Sequence, residues 1–191
     1  MDFSKLGTAA AVSEDMSKAK SFDREIPAEG PALMRLIGYI ETGRHESPNP
    51  KYKPALKTQL IFELSTPKHL IEIDGKKVPQ RFTLRLNKGL TTKSGFKKVF
   101  NQLNAAMGGD KQHIFQMLNE PVMGRIYHNK VGEGDNQKVY ANLDNDGAYS
   151  FTAPEQEDPL TGNITKIPVM ERSNDLQGFL WEPDADNISD D

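Results

Sequence analysis

The chain has 191 residues and no cysteine, which excludes disulfides, thiolate metal sites and thiol nucleophiles. Hydrophobic residues make up 36% of it and the mean hydropathy is -0.63, so we expect one folded domain with solvated extensions. The formal charge of -3 conceals a segregation: residues 31–140 hold 18 basic and 9 acidic side chains, whereas residues 141–191 hold 2 and 12. A basic body of this kind favours a polyanionic partner.

Targeting and membrane-spanning segments are not evident in the sequence. No apolar run approaches the roughly 18 residues that cross a bilayer. Residues 1–20 contain acids and lack the apolar centre of a signal peptide. We therefore expect a soluble, cytoplasmic protein without membrane association.

Composition divides the chain into three parts. Residues 1–29 mix small, basic and acidic side chains without a sustained period, which predicts a flexible N-terminal arm. Residues 30–181 contain the periodic segments and form the predicted domain. Residues 182–191 form a predicted acidic C-terminal tail.

The first predicted strand begins near Pro31 and runs to Ile40, with apolar side chains in both alternating sets, which indicates burial on both faces. A loop is predicted from Gly43 to Pro54, where basic residues surround Tyr52. These residues, including Lys51 and Tyr52, either clamp a nucleic-acid backbone and stack a base, or belong to a solvated connector.

Two further strands alternate cleanly. Leu56–Leu64 and Arg81–Leu86 each place apolar side chains on one face, and Asp74–Gly75 predicts a hairpin turn before the second. The opposite faces carry Lys57, Arg81 and Arg85. Neighbouring strands with outward basic residues build a positive sheet surface, although solubility alone produces the same pattern.

The centre of the chain changes to a helical period. Apolar residues recur from Phe96 to Leu103 after a Thr92 or Ser94 cap, and Gly108–Gly109 ends the predicted helix. A second short helix is predicted over residues 110–118. We expect the aromatic side chains of this region to belong to the core.

A hairpin follows the helices. Residues 121–131 and 137–143 flank the turn sequence GEGDN, and alternation places Arg125 and Tyr127 on one face of the first strand, with Lys138 and Tyr140 outward on the second. Beyond Asn145 the sequence is polar and interrupted by prolines, which predicts extended wrapping. The whole order predicts a mainly β fold with a helical insertion, and an antiparallel barrel of the OB-fold type suits it best.

Catalytic motifs are hard to find in this sequence. The four histidines lie in different predicted elements, and neither phosphate-binding glycine loops nor nucleophile motifs are visible, so we predict no enzyme activity, no metal and no cofactor. Five late carboxylates offer the alternative of a nuclease metal site. They are Asp144, Asp146, Glu155, Glu157 and Asp158. A simple turn explains the DNDG run at Asp144–Gly147.

Binding of single-stranded nucleic acid requires only cations that pair with phosphates and rings that stack on bases. Both are present on the predicted outward faces. The candidate residues are Tyr127, Tyr140, Arg125, Lys138, Arg81, Arg85, Lys57, Tyr52 and Lys51. Tyrosines also serve as ordinary sheet surface, so each assignment stays a hypothesis.

Several segments resemble the small single-stranded DNA-binding proteins encoded in replication and recombination clusters of tailed bacteriophages. The segments are GPALMRLIGYIETG, LKTQLIFEL, the hairpin RIYHNKV with QKVYANL, and LQGFLWEPD, within residues 30–183. The resemblance implies an OB-fold core, sequence-independent binding of single-stranded DNA during replication, recombination or repair, and the host cytoplasm as location. It also implies an acidic tail that occupies the DNA groove or recruits replication or recombination proteins.

The tail departs from this pattern in one respect. Many such tails close on an aromatic or apolar residue, whereas this sequence closes on Ile188–Asp191. Trp181 is one candidate replacement as a docking residue, and packing of Trp181 on the barrel is the alternative. The tail residues assigned to partner binding are Trp181, Asp184, Asp186, Asp190 and Asp191.

One rival hypothesis from another class is open. An acidic protein-interaction factor, such as an inhibitor that mimics DNA, would use the C-terminal region and bind no nucleic acid. A homo-oligomer is compatible with either hypothesis, because the sequence does not specify the number of subunits.

Overall fold

The structure is a computed structural model that describes residues 25–73, 75–134 and 137–182. Its strands are β1 (Gly30–His45), β2 (Ala55–Leu64), β3 (Leu70–Ile73), β4 (Lys76–Asn87), β5 (Pro121–Val131), β6 (Lys138–Asn142), β7 (Asp144–Asn145), β8 (Ala148–Tyr149), β9 (Phe151–Thr152), β10 (Glu155–Glu157), β11 (Ile164–Lys166) and β12 (Gln177–Phe179). These residues also include one α-helix, α1 (Gly95–Ala106), and the 3-10 turns Pro67–His69 and Ile114–Met117.

One curled sheet with the order β3-β4-β2-β1-β5-β6 forms the body of the protein. Its path is antiparallel throughout, while β9 pairs with β5 and β12 pairs in parallel with β1. The β1–β2 register shifts between Leu36 and Gly38 and again between Glu41 and Arg44. Such bulges increase strand twist, and the sheet curls into a half-barrel. The prediction of a mainly β fold with a helical insertion is confirmed, and the half-barrel is consistent with an OB-like fold.

The core fills the concave side of this half-barrel. Alternate residues of the strands point inward, among them Leu36, Phe62 and Leu84, and α1 closes the core with Phe96 and Val99. Burying each such side chain contributes roughly 1.5 to 3 kcal/mol. The sheet therefore has an inner face that packs against α1 and an opposite outer face.

Helix α1 begins and ends close to the predicted positions. The Ser94 side chain accepts a hydrogen bond from the Lys97 N–H and caps the first turn. Met107 follows the last helical residue, and the Gly109 N–H donates to the Asn104 carbonyl at 2.8 Å. Gly109 has a φ of 83°, which glycine adopts without a steric penalty.

Two predicted elements have different bounds in the structure. The helix predicted over residues 110–118 is wrong, because only the 3-10 turn Ile114–Met117 forms. His113 and Gln116 close that turn with a capping box, and Leu118 is already extended before β5. The loop predicted from Gly43 begins later, because β1 continues to His45 by pairing with β2.

Residues just before β1 are tied to the half-barrel. The carbonyls of Pro27 and Ala28 are hydrogen-bonded to His128 Nε2 and His69 Nε2, both at 2.8 Å, and the Glu25 carbonyl accepts from the Gln80 side chain. The described chain is thus anchored before the predicted domain boundary at residue 30. Residues 1–24, the greater part of the predicted arm, lie outside the described residues.

Candidate nucleic-acid interface

The outer face of the sheet collects the candidate residues predicted on strands. Directly opposed residues of antiparallel strands lie on the same face. The register pairs Arg125 with Pro31, and Arg81 with Glu63, which in turn pairs with Arg35. The residues immediately before and after Arg35, Glu63, Arg81 and Arg125 in the sequence point inward and are buried. The candidates on the outer face are Lys57, Arg81, Arg85, Arg125, Tyr127, Lys138 and Tyr140.

Four of the candidates form a hairpin patch on β5 and β6. The hairpin patch consists of Arg125, Tyr127, Lys138 and Tyr140, which the β5–β6 register places on one face. The Arg125 guanidinium carbon lies 5.8 Å from the centroid of the Tyr127 ring, which is a cation–π distance. Tyr140 is 51% exposed. Cations and accessible rings are therefore adjacent on a rigid, hydrogen-bonded support.

Two other candidates line a groove at the far end of the outer face. This β2/β4 groove has a volume of ≈ 530 Å³, and Lys57 and Arg85 line it together with His45. Lys57 Nζ donates to Asn87 Oδ1 at 2.5 Å. His45 is a groove residue that the sequence analysis did not select. Its position follows from the extension of β1 beyond Gly43, which the loop composition concealed.

The loop candidates belong to the connection that follows the groove residue His45. Lys51 and Tyr52 belong to the connection between β1 and β2, and Tyr52 is 69% exposed. The Tyr52 N–H donates to the Asn49 carbonyl at 3.1 Å, which closes a turn. Tyr52 is thus available for stacking, while neither residue lines the groove itself.

A C-terminal strap crosses the outer face between the hairpin patch and the groove. The strap comprises residues 167–182, and it covers Arg35 and Glu63. Arg35 is 6% exposed and donates to the carbonyls of Asn119, Val169 and Met170 at 2.6, 3.3 and 3.1 Å. The outer face is therefore not one continuous basic surface.

Glu63 fixes the next part of the strap. Glu63 is 1% exposed, and its carboxylate accepts hydrogen bonds from the backbone N–H groups of Ser173 and Asn174, both at 2.9 Å. The Asn174 side chain adds a bond of 2.6 Å. Because Arg81 lies opposite Glu63 in the register, it is next to the strap and separate from the Lys57 and Arg85 groove.

The strap ends against β1. Strand β12 pairs with residues 38–40, and the Trp181 ring lies where a Cβ on Gly43 would meet it at 3.4 Å. Trp181 thus packs on the half-barrel, as one of the two alternatives predicted. Asp184, Asp186, Asp190 and Asp191 lie outside the described residues.

A buried polar cluster around Glu41 follows the residues of β1 that pair with β12. Glu41 accepts hydrogen bonds from Tyr39 Oη at 2.7 Å and from Lys88 Nζ at 2.5 Å. Burial alone would raise the pKa of Glu41, but the bonds from Lys88 and Tyr39 outweigh it and hold that pKa below its usual value. Burial and the adjacent Glu41 raise the pKa of Tyr39. Glu41 is therefore a charged anchor inside the fold.

The late carboxylates have separate local contacts. Asp144 Oδ2 accepts from the Gly147 N–H at 3.1 Å and closes the β7–β8 turn, while Asp158 Oδ1 accepts from the Leu160 N–H at 2.8 Å. Glu155 and Glu157 are exposed on β10. Across residues 25–73, 75–134 and 137–182, no group of three His, Asp or Glu residues is arranged to hold a metal ion.

No protein-family model matches the chain, and neither a curated protein nor a solved structure shows significant similarity to it. In the part of the chain that the structure describes, no helix combines the length and apolar character that a membrane crossing requires.

Proposed function

We propose that the protein binds single-stranded DNA without sequence specificity, through the hairpin patch and with the β2/β4 groove as a second contact region. The observation that carries this proposal is the hairpin patch, where Arg125 lies over Tyr127 and the exposed ring of Tyr140 stands on the paired strand. Phosphates pair with the cations, and each base stacked on a ring contributes roughly 1 to 3 kcal/mol.

The distribution of charge supports the same conclusion. Residues 31–140, which contain β2 to β5 and all but the first residue of β1, hold twice as many basic as acidic side chains. Two of those acids, Glu41 and Glu63, are buried and bonded to Lys88 and to the strap. Arg35 is also buried and Lys88 is paired with Glu41, but most of the other lysines and arginines of this region are exposed, where they release counterions from a phosphate backbone.

An OB-type barrel is the fold that we propose for this half-barrel, with a role in phage replication, recombination or repair. The order of β1, β2, β4, α1, β5 and β6, with β1 paired to both β2 and β5, supports an OB-type connection of five main strands and one helix. Such barrels bind oligonucleotides on an exposed sheet face. The sequence resemblance to phage proteins supports the biological role.

The test is a titration of the full chain with a single strand and with a duplex of the same sequence, at several salt concentrations. We expect the single strand to bind more tightly, since its bases are free to stack, and its affinity to fall as salt increases. Equal affinity for both, or an affinity that does not depend on salt, would contradict the proposal. Absence of binding to either would favour the acidic protein-interaction factor.

A further inference from the structure

An apolar pocket lies beside α1, on the inner side of the sheet and away from the outer face. This α1 pocket has a volume of ≈ 220 Å³. Its apolar lining comes from Leu90, Phe96, Phe100 and Ile114, and its polar lining from Lys88, Lys97, Gln112 and His113. Leu90 is 71% exposed, so the pocket presents apolar surface to the solvent.

The surroundings of the α1 pocket are positive. Lys97 Nζ lies 4.7 Å from the centroid of the Phe100 ring, and the first turn of α1 contains no acidic residue. The N-terminal end of a helix adds a partial positive charge. Two lysines line the pocket, Lys88 and Lys97. Because Lys88 is hydrogen-bonded to the Glu41 carboxylate, Lys97 is the lysine of the lining that we expect to attract an anionic ligand. An acidic peptide with one apolar side chain fits this combination.

The described chain ends next to this pocket. The Trp181 ring lies 3.4 Å from the position of a Cβ on Gly43. Two residues earlier in β1, Glu41 accepts a hydrogen bond from Lys88, which lines the pocket. Nine further residues, 183–191, follow Glu182 in the sequence. An extended segment of that length spans about 30 Å. The pocket is therefore within reach of the tail.

The composition of residues 183–191 matches the pocket. The segment holds four aspartates and no basic residue, and Ile188 is its one large apolar side chain. We propose that this tail binds the α1 pocket, with Ile188 on the apolar surface of Phe96 and Phe100 and with its aspartates beside Lys97 and the first turn of α1. The tail then holds its negative charge away from the outer face, and this inference does not depend on the proposed DNA binding.

Paramagnetic relaxation in the full chain tests the inference. Because the chain has no cysteine, S189C provides a unique position for a nitroxide. In the absence of DNA, we expect the label to broaden the amide signals of Phe96–Phe100 and Ile114. The broadening should be lost in the labelled chain with I188S and with K97E.

K130E serves as the matched control, because Lys130 is an exposed lysine of β5 outside the pocket lining. We expect K130E to retain the broadening. Broadening centred on Tyr127 and Tyr140 would overturn the inference, since the tail would then occupy the outer face. Uniform broadening, or a pattern that neither I188S nor K97E changes, would overturn it as well.

Discussion

Two arginines on neighbouring strands of the same outer face differ in their exposure to solvent. Arg35 on β1 lies beneath the strap, where three backbone carbonyls accept its hydrogen bonds, whereas Arg125 on β5 is exposed beside Tyr127. The register of β1 and β5 places both side chains on the outer face. The position of a residue in a strand thus determines which face its side chain occupies, whereas a segment distant in sequence determines whether that face is exposed.

The largest expected effect is on stability, where substitution of Arg35 should cost far more than substitution of Arg125. R35M leaves the carbonyls of Asn119, Val169 and Met170 without their donor, and we expect the free energy of unfolding to fall by about 2 to 3 kcal/mol. R125M removes an exposed group and should change it by less than about 0.5 kcal/mol. Urea denaturation of both variants measures the difference. Equal stability of the two variants would show that the strap does not depend on Arg35.

The second prediction concerns binding by the hairpin patch. Y140A removes an exposed ring, and we expect the affinity for a single strand to fall by about 1 to 3 kcal/mol, or roughly 5- to 150-fold. Y140F keeps the ring and should retain most of the affinity. Fluorescence anisotropy with a labelled oligonucleotide measures both, and a similar loss in Y140F would argue against stacking.

A third prediction concerns the anchoring of the strap at Glu63. E63Q replaces a carboxylate oxygen by an amide N–H that faces backbone donors of Ser173 and Asn174, so we expect a loss of about 1 to 2 kcal/mol of stability. E155Q, at an exposed glutamate of β10, provides the control and should be neutral. Hydrogen exchange of the strap amides should accelerate in E63Q alone. Unchanged hydrogen exchange of the strap amides in E63Q would show that Glu63 does not hold the strap in place.

The smallest expected effect concerns pH and the contact with residues 25–29. Burial, together with the nearby Lys68, lowers the pKa of His69, although its bond to the Ala28 carbonyl opposes this shift. A histidine with a lowered folded pKa stabilises the fold above its unfolded pKa, and this contribution is lost as the pH falls through the folded value. We therefore expect stability to decrease below about pH 6.5. H69Q should flatten this dependence, whereas H45Q should leave it intact, and an equal response of the two would contradict the assignment.

The local elements were largely accessible from the sequence because they depend on neighbouring residues. Alternation predicted β2 and much of β4, and the Ser94 cap and the glycines predicted α1. The hairpin patch follows from the same alternation once β5 and β6 are paired. The helix predicted over residues 110–118 is reduced to the 3-10 turn Ile114–Met117, because Leu118 is extended and Asn119 has a φ of 68° before β5 begins.

Apolar residues in both alternating sets of β1 predicted its burial on both faces, but the segment that covers the outer face was not accessible from the sequence. The contacts between Arg35 and residues 169–170 join positions more than a hundred residues apart. The residues around Arg35 in the sequence do not indicate which segment contacts it. The same holds for Glu63 and the strap. Composition also hid the end of β1, since Arg44 and His45 resemble loop residues until β2 pairs with them.

The role of the hairpin patch in DNA binding is tested most directly by the salt dependence of single-strand binding, measured for the wild type and for the double variant R125Q/K138Q. If both cations contact phosphates, the slope of log K against log salt should become shallower by about 0.7 for each, or roughly 1.4 for the pair. The stability of the variant should remain unchanged, since both side chains are exposed. An unchanged slope and affinity in the double variant would contradict the hairpin patch as the DNA-binding surface.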